Sequence, residues 1–247
     1  MTPWDDPVPL KRMWCLYELV CGLRGAAKGV KLELRLSQEQ RQGLVEALRE
    51  DHNVVTKMLV DIDITKAETS SDLDKALILE KIRALPEGEH GCNVDLKALM
   101  RRWVLETLEE AVRDSEQALG EGGSAAGAIG GNGEGSRLEH ATLLNRVAAV
   151  FRTNGSDHAK ALELFGRALA IREEVCGKDH PDTAGTYNSM ANVYKVQGDY
   201  DVKALELYGR ARAIYEEVHG KDHPATAGAY YNIGLFFLTQ GKHPEAK

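Results

Sequence analysis

Ala161–Tyr200 reads ALELFGRALAIREEVCGKDHPDTAGTYNSMANVYKVQGDY, and Ala204–His243 reads ALELYGRARAIYEEVHGKDHPATAGAYYNIGLFFLTQGKH. The offset is 43 residues, and twenty of the twenty-five positions of Ala161–Gly185 are identical in the second copy. Composition alone does not produce a self-match of that density. A repeat of this period predicts a solenoid, in which each unit buries its apolar face by stacking on the next.

Outward from this stretch, an earlier first helix falls in register at Leu138–Thr153. The equivalent positions are Leu144, Tyr187 and Tyr230; Ala148, Ala191 and Gly234; Phe151, Tyr194 and Phe237; and Gly155, Gly198 and Gly241. Second helices are predicted over about His158–Cys176 and Val202–His219, matching Ala161 with Ala204, Phe165 with Tyr208 and Ala168 with Ala211. Small residues at fixed places let helices approach closely, and aromatics three or four residues away fill the space beside them. The expected architecture over 136–247 is an α-helical solenoid of about two and a half hairpins.

The GKDHP connection has a mechanical reading. Gly177 and Gly220 suit the left-handed position that ends a helix. Pro181 and Pro224 suit the first turn of the next, where the missing N–H costs nothing. Asp179 or His180, and Asp222 or His223 in the copy, are available as caps. The recurrence of these His–Asp pairs with the repeat argues for capping and against a metal site, and no HxxxH or CxxC spacing is present. No metal and no cofactor is expected. Ala159 and Val202 lengthen their turns by one residue, so local distortion is expected there. The third hairpin has its first helix, through about Gln240, and the sequence ends at Lys247. That leaves Leu235, Phe236, Phe237 and Leu238 partly exposed, a patch open to a partner or to self-association, and it suggests a fragment of a longer protein.

The alternation of small and aromatic residues, with glycine at the turn inside each hairpin, resembles the tetratricopeptide repeat, and the GKDHPxTA connection is similar to repeats of the kinesin-light-chain type. The resemblance covers Leu138–Lys247. It implies that first helices line a concave groove and second helices form the outer wall. Carried onto the registered positions, it points inward at Asn145, Ala149 and Arg152, then Asn188, Asn192 and Lys195, then Tyr231 and Leu235. Asparagine there can donate to and accept from an extended peptide backbone, and Arg152 and Lys195 suit a ligand carboxylate. The function this implies is a non-catalytic scaffold or adaptor that binds a protein or peptide segment. Met1–Leu119 has no heptad coiled coil with which to join a motor heavy chain.

Before the repeats, Met1–Leu119 reads as a mainly helical domain with one or two strands. Pro3, Pro7 and Pro9 keep the start irregular. A helix is predicted over Lys11–Leu23, apolar nearly all round, and Val30–Leu36 alternates as a half-buried strand. Further helices are predicted from a capping box at Ser37 to about Asp51, over Val54–Ile62, over Asp72–Leu85, and from a cap at Asn93 to about Leu119. A lone strand is unstable, so its partner lies in a misread segment or upstream of Met1. Lys11-Arg-Met-Trp-Cys-Leu-Tyr-Glu-Leu resembles the RWCLxEL stretch of Toll/interleukin-receptor-like (TIR) domains, which are flavodoxin-like α/β folds. In enzymatic members the glutamate, here Glu18, splits NAD. The strands and loops that would line a nucleotide site are absent before it, so a remnant without a working pocket is implied. A signalling effector with an NAD-hydrolysing head is the alternative function.

Between the two lies GEGGSAAGAIGGNGEG, residues 120–135, half glycine and expected to be a flexible linker. It is no phosphate loop, since no GK[ST] follows. The net charge of −7 carries no basic field, so neither nucleic acid nor anionic membrane is an expected partner. Four cysteines without a CxxC pair, no signal sequence and no long apolar run make the cytosol the default location.

Overall fold

The computed structural model describes residues 18, 20–22, 38–51, 53–69, 71–125, 132–155, 157–197 and 201–239. The described residues are helical almost throughout and include no strand. The strand expected over Val30–Leu36 and the capping serine Ser37 lie outside them. Of the helix expected over Lys11–Leu23, Glu18 and Val20–Gly22 are described, and they are helical.

Four helices follow in the first part: α1 Gln38–Glu50, α2 Val54–Asp61, α3 Asp72–Arg83 and α4 Gly88–Ala125. The chain divides into two compact units, Met1–Ala111 with Thr153–Gly155, and Val112–Arg152 with Ser156–Lys247. In the first unit, Leu44, Leu48, Ile64, Ile78, Ile82, Leu96 and Met100 are fully buried. Ser71 caps α3 by accepting from the Asp74 N–H at 3.5 Å. α3 ends at Arg83, two residues short of the expected Leu85, and after the turn Gly88 takes a φ of 58° where α4 starts, ahead of Asn93.

Asn93 is therefore not a helix cap. Five residues inside α4, its Oδ1 accepts from the Ile64 N–H at 2.8 Å and its Nδ2 donates to Asp63 at 3.2 Å. Asp63 also accepts from the backbone and hydroxyl of Thr65 at 3.0 and 2.8 Å. Burial raises the Asp63 pKa, but these donors together outweigh it and hold the carboxyl below its ordinary range. The asparagine pins the turn that follows α2, a long-range role that a cap reading misses.

The glycine tract is helical at both ends, not coil throughout. α4 runs through Gly120 to Ala125 and α5 opens at Asn132; residues 126–131 lie outside the described set. The second unit then runs α5 Asn132–Val150, a π-helical turn Phe151–Gly155, α6 His158–Val175, α7 Pro181–Gln197, α8 Asp201–His219 and α9 Pro224–Thr239. Ala159 and Val202, where distortion was expected, lie in the regular first turns of α6 and α8; the π turn falls before Ala159, at Phe151–Gly155.

Each GKDHPxT corner is closed by three interlocking features. Gly177 and Gly220 adopt φ of 95° and 84°, where a Cβ would be strained. His180 and His223 are the caps, each Nδ1 accepting a backbone N–H, from Asp182 and Ala225, at 3.1 Å. Thr183 and Thr226, both fully buried, donate their hydroxyls to the carbonyls of Gly177 and Gly220 at 2.8 Å. The corner thus fixes the angle between one hairpin and the next.

Between the corners the helices close on small residues. Ala184, Tyr187, Ala191 and Tyr194 of α7 form one buried cluster with Ala204, Leu207, Tyr208, Ala211 and Ile214 of α8. Phe236, expected to be partly exposed, joins this cluster at 4% exposure and meets Tyr208 edge-on at 6.2 Å. Arg172, on α6, is buried and donates to the Asp182 carbonyl at 2.9 Å, to Thr186 at 2.8 Å and to Thr142 at 3.4 Å, bracing α5, α6 and α7. His140 on α5 is also buried, with Nδ1 at 2.9 Å from Ser115 Oγ and Nε2 at 3.9 Å from Glu116.

Two stability predictions follow. Thr183→Val keeps the shape but leaves a corner carbonyl unbonded, and should cost about 1–3 kcal/mol in urea unfolding; an unchanged midpoint would show that the corner does not need the bond. Burial pushes the His140 pKa down. The unfolded chain then takes up a proton near pH 6.5 that the native state refuses, so His140 favours folding fully above about pH 6.5 and that contribution is lost as pH falls through its lowered value. His140→Gln should flatten the fall in unfolding midpoint on the acid side; an identical slope would remove His140 as its cause.

Candidate peptide-binding face

The face in question is built by register. Arg152 and Lys195 are 43 residues apart and occupy equivalent places at the ends of successive first helices. Arg152 sits in the π turn and Lys195 in the last turn of α7. Both are half-buried. Burial lowers the pKa of each, and Arg152 lowers that of Lys195 further, so the two cations lie within electrostatic reach. Among the described residues neither has a carboxylate partner. Like charges held together in partial burial, with no counter-ion, make a site that favours an anion.

Tyr208 is the residue this site adds to those expected from sequence. Its ring is fully buried in α8, and its hydroxyl donates to Asn192 Oδ1 at 2.8 Å. Burial raises the pKa of that hydroxyl strongly, with Arg152 pulling the other way, which places Arg152 near it. Asn192 and Arg152 thus lie beside one tyrosine, and Lys195 lies within electrostatic reach of Arg152. A signal was available: a buried tyrosine needs a partner for its hydroxyl, and the equivalent second-helix position in the first copy is Phe165, which needs none.

The remaining expected residues are placed differently. Asn188 Oδ1 accepts from Asn232 Nδ2 at 3.0 Å, so α7 and α9 are linked by an asparagine pair of which Asn232 was not anticipated. Asn145, the equivalent of Asn188, is half-buried and its Oδ1 accepts no hydrogen bond from the protein. Tyr231 is 69% exposed and Leu235 is half-buried; no hydrogen bond or ring contact ties either to the Arg152–Lys195 pair. Asn188 and Asn192 each retain amide capacity beyond the bonds they make, because an amide offers two donors and an acceptor with two lone pairs.

Glu18 is exposed on its helical stretch, and the rest of the WCLYEL segment up to Tyr17, with Leu19, lies outside the described residues. Among the described residues no group of three His, Cys, Asp or Glu could hold a metal, and no helix is long and apolar enough to cross a membrane.

Comparison with known proteins bears on the second unit. No curated protein matches the chain. The crystal structure of BtubC (BKLC) from P. vanneervenii aligns over 96% of this chain and 85% of that one at 17% identity, with a TM-score of 0.42, too loose a likeness to argue from. The family model of the tetratricopeptide repeat matches residues 139–202 and again 185–247. Residues 139–247 of this chain are tetratricopeptide repeats.

Proposed function

We propose that this protein is a non-enzymatic scaffold whose repeats bind an extended segment of another protein, with an acidic group of that segment held between Arg152 and Lys195. Tetratricopeptide repeats generally mediate protein–protein interaction. The observation that carries the finer reading is the register-equivalent cation pair, half-buried and, among the described residues, without a carboxylate partner. A bound carboxylate supplies what the pair lacks. Its charge offsets the mutual repulsion, and Asn188, Asn192 and Asn145 on the same helices offer donors and acceptors to the peptide backbone. The likeness of the GKDHPxTA connection to kinesin-light-chain-type repeats supports a peptide as the ligand, and cytosol is the setting in which such a scaffold works.

A displayed library of random peptides, selected on the full chain, should become enriched in Asp and Glu. Lys195→Met should weaken an enriched acidic peptide by about 1.5–3 kcal/mol in calorimetry, and Arg152→Met similarly. Removing one of two repelling cations should also leave the melting temperature unchanged or raise it, the usual trade between a binding site and stability. Selection without acidic bias, or the same bias with both residues replaced, would overturn the proposal. Binding should weaken as pH rises through the lowered Lys195 pKa, because only the charged ammonium holds the anion.

A further inference from the structure

The first two hairpins differ at a pair of equivalent positions. Where the first has Ala149 and Phe165, the second has Asn192 and Tyr208, 43 residues later. Phe165 and Tyr208 are both fully buried, so a ring fills that place with a hydroxyl or without one. A buried hydroxyl is costly unless it finds a partner. Here the partner comes with it: the Tyr208 hydroxyl donates to Asn192 Oδ1 at 2.8 Å. Replacing both members of such a bond by apolar groups is close to neutral. Packing alone therefore does not account for the polar pair.

What the bond fixes is the direction of an amide. With Oδ1 turned to Tyr208, Asn192 carries its NH2 group away from that ring. Asn192 is half-buried, and its Nδ2 donates to no described residue. Arg152 lies near the same hydroxyl, and a cation there draws the lone pairs of the phenol oxygen, which leaves the proton for Asn192. Asn188, one turn earlier on α7, is turned the same way, its Oδ1 accepting from Asn232 Nδ2 at 3.0 Å. Asn188, Asn192 and Lys195 stand at i, i+4 and i+7, on one face of a helix. What these three leave over for a ligand is N–H groups, because the amide oxygens are engaged by α8 and α9.

We propose that Tyr208 is a positioning residue of the acidic-segment site: by holding the Asn192 amide with its Nδ2 outward, it makes the site tell a carboxylate from a carboxamide. This role rests on the acidic-segment reading of Arg152 and Lys195, and it supplies the source of that site's selectivity. A carboxylate offers acceptors only, which suits a face of N–H groups. A carboxamide of the same shape brings an NH2 group, which finds an acceptor at Asn192 only if that amide turns over. Turning over would face Nδ2 to the Tyr208 oxygen and leave the buried hydroxyl proton without its acceptor, and Tyr208 opposes the turn for that reason.

The probes are two end-capped pentapeptides of alanine, one with a single central Glu and one with a single central Gln, titrated into the full chain and followed by heteronuclear magnetic resonance. The Asn192 side-chain amide is assigned by its loss in Asn192→Ala. The Glu peptide should shift that amide and the Lys195 side chain together, and should bind more tightly than the Gln peptide. Tyr208→Phe should fold normally, because Phe165 fills the equivalent place in the first hairpin. It should narrow the preference for Glu over Gln roughly three- to tenfold, the worth of one oriented hydrogen bond. Asn192→Ala, alone or with Tyr208→Phe, should narrow it to the same value, since both changes act through one donor. A mere loss of stability would weaken both peptides alike and leave the preference where it was. An unchanged preference in Tyr208→Phe, or an Asn192 amide that stays still while Lys195 shifts, would overturn the inference and leave the acidic-segment site standing. A Glu peptide that moves neither group would overturn both.

Discussion

Two hydrogen bonds set the geometry on which the repeats depend: Thr183 to the carbonyl of Gly177, and Thr226 to that of Gly220, each at 2.8 Å. A solenoid needs every hairpin to meet its neighbour at the same angle, or its small-residue seams fall out of register. Glycine supplies the sharp left-handed exit from one helix. Histidine caps the start of the next, and the buried threonine ties that start back to the exit. The corner is rigid because its polar groups are satisfied inside it, so the angle does not rely on loop length.

From that fixed angle the proposed binding face follows by register. Equal rotation per unit brings residues 43 positions apart into equivalent places, so Arg152 lies within electrostatic reach of Lys195, and Asn145 is the register equivalent of Asn188. The packing that stacks the helices is the same packing that half-buries these polar side chains. On the function proposed above, a cation pair produced in this way costs the free protein some stability, and a bound anion relieves it. Tyr208 joins the packing to that proposed face, since its ring belongs to the core and its hydroxyl donates to Asn192.

Much of the second unit was legible in the sequence, because a near-identical repeat reports its own boundaries, its seams and its corners. His180 and His223 were among the expected caps, while Thr183 and Thr226 passed unnoticed although they recur within the same motif. Arg172 offered no such signal: its counterpart is Tyr215, so a single-copy brace cannot be found by comparing copies. In the first unit, Asn93 misled for a different reason. Asparagine before an apolar run looks like a local cap, whereas its partners, Asp63 and Ile64, lie about thirty residues away in sequence. The glycine tract misled at its edges because composition predicts backbone freedom, and says nothing of helices that already carry momentum from long apolar stripes on either side.

The central proposal is that Lys195 and Arg152, a cation pair with no carboxylate partner among the described residues, are completed by an acidic peptide. Its most direct measurement is the titration of the Lys195 side chain by heteronuclear magnetic resonance, free and with a saturating acidic peptide. The account predicts that free Lys195 loses its proton at lower pH than the exposed lysines of the same chain, and that the peptide moves its titration upward. A Lys195 that titrates with the exposed lysines, or whose titration does not move when the peptide binds, would contradict it.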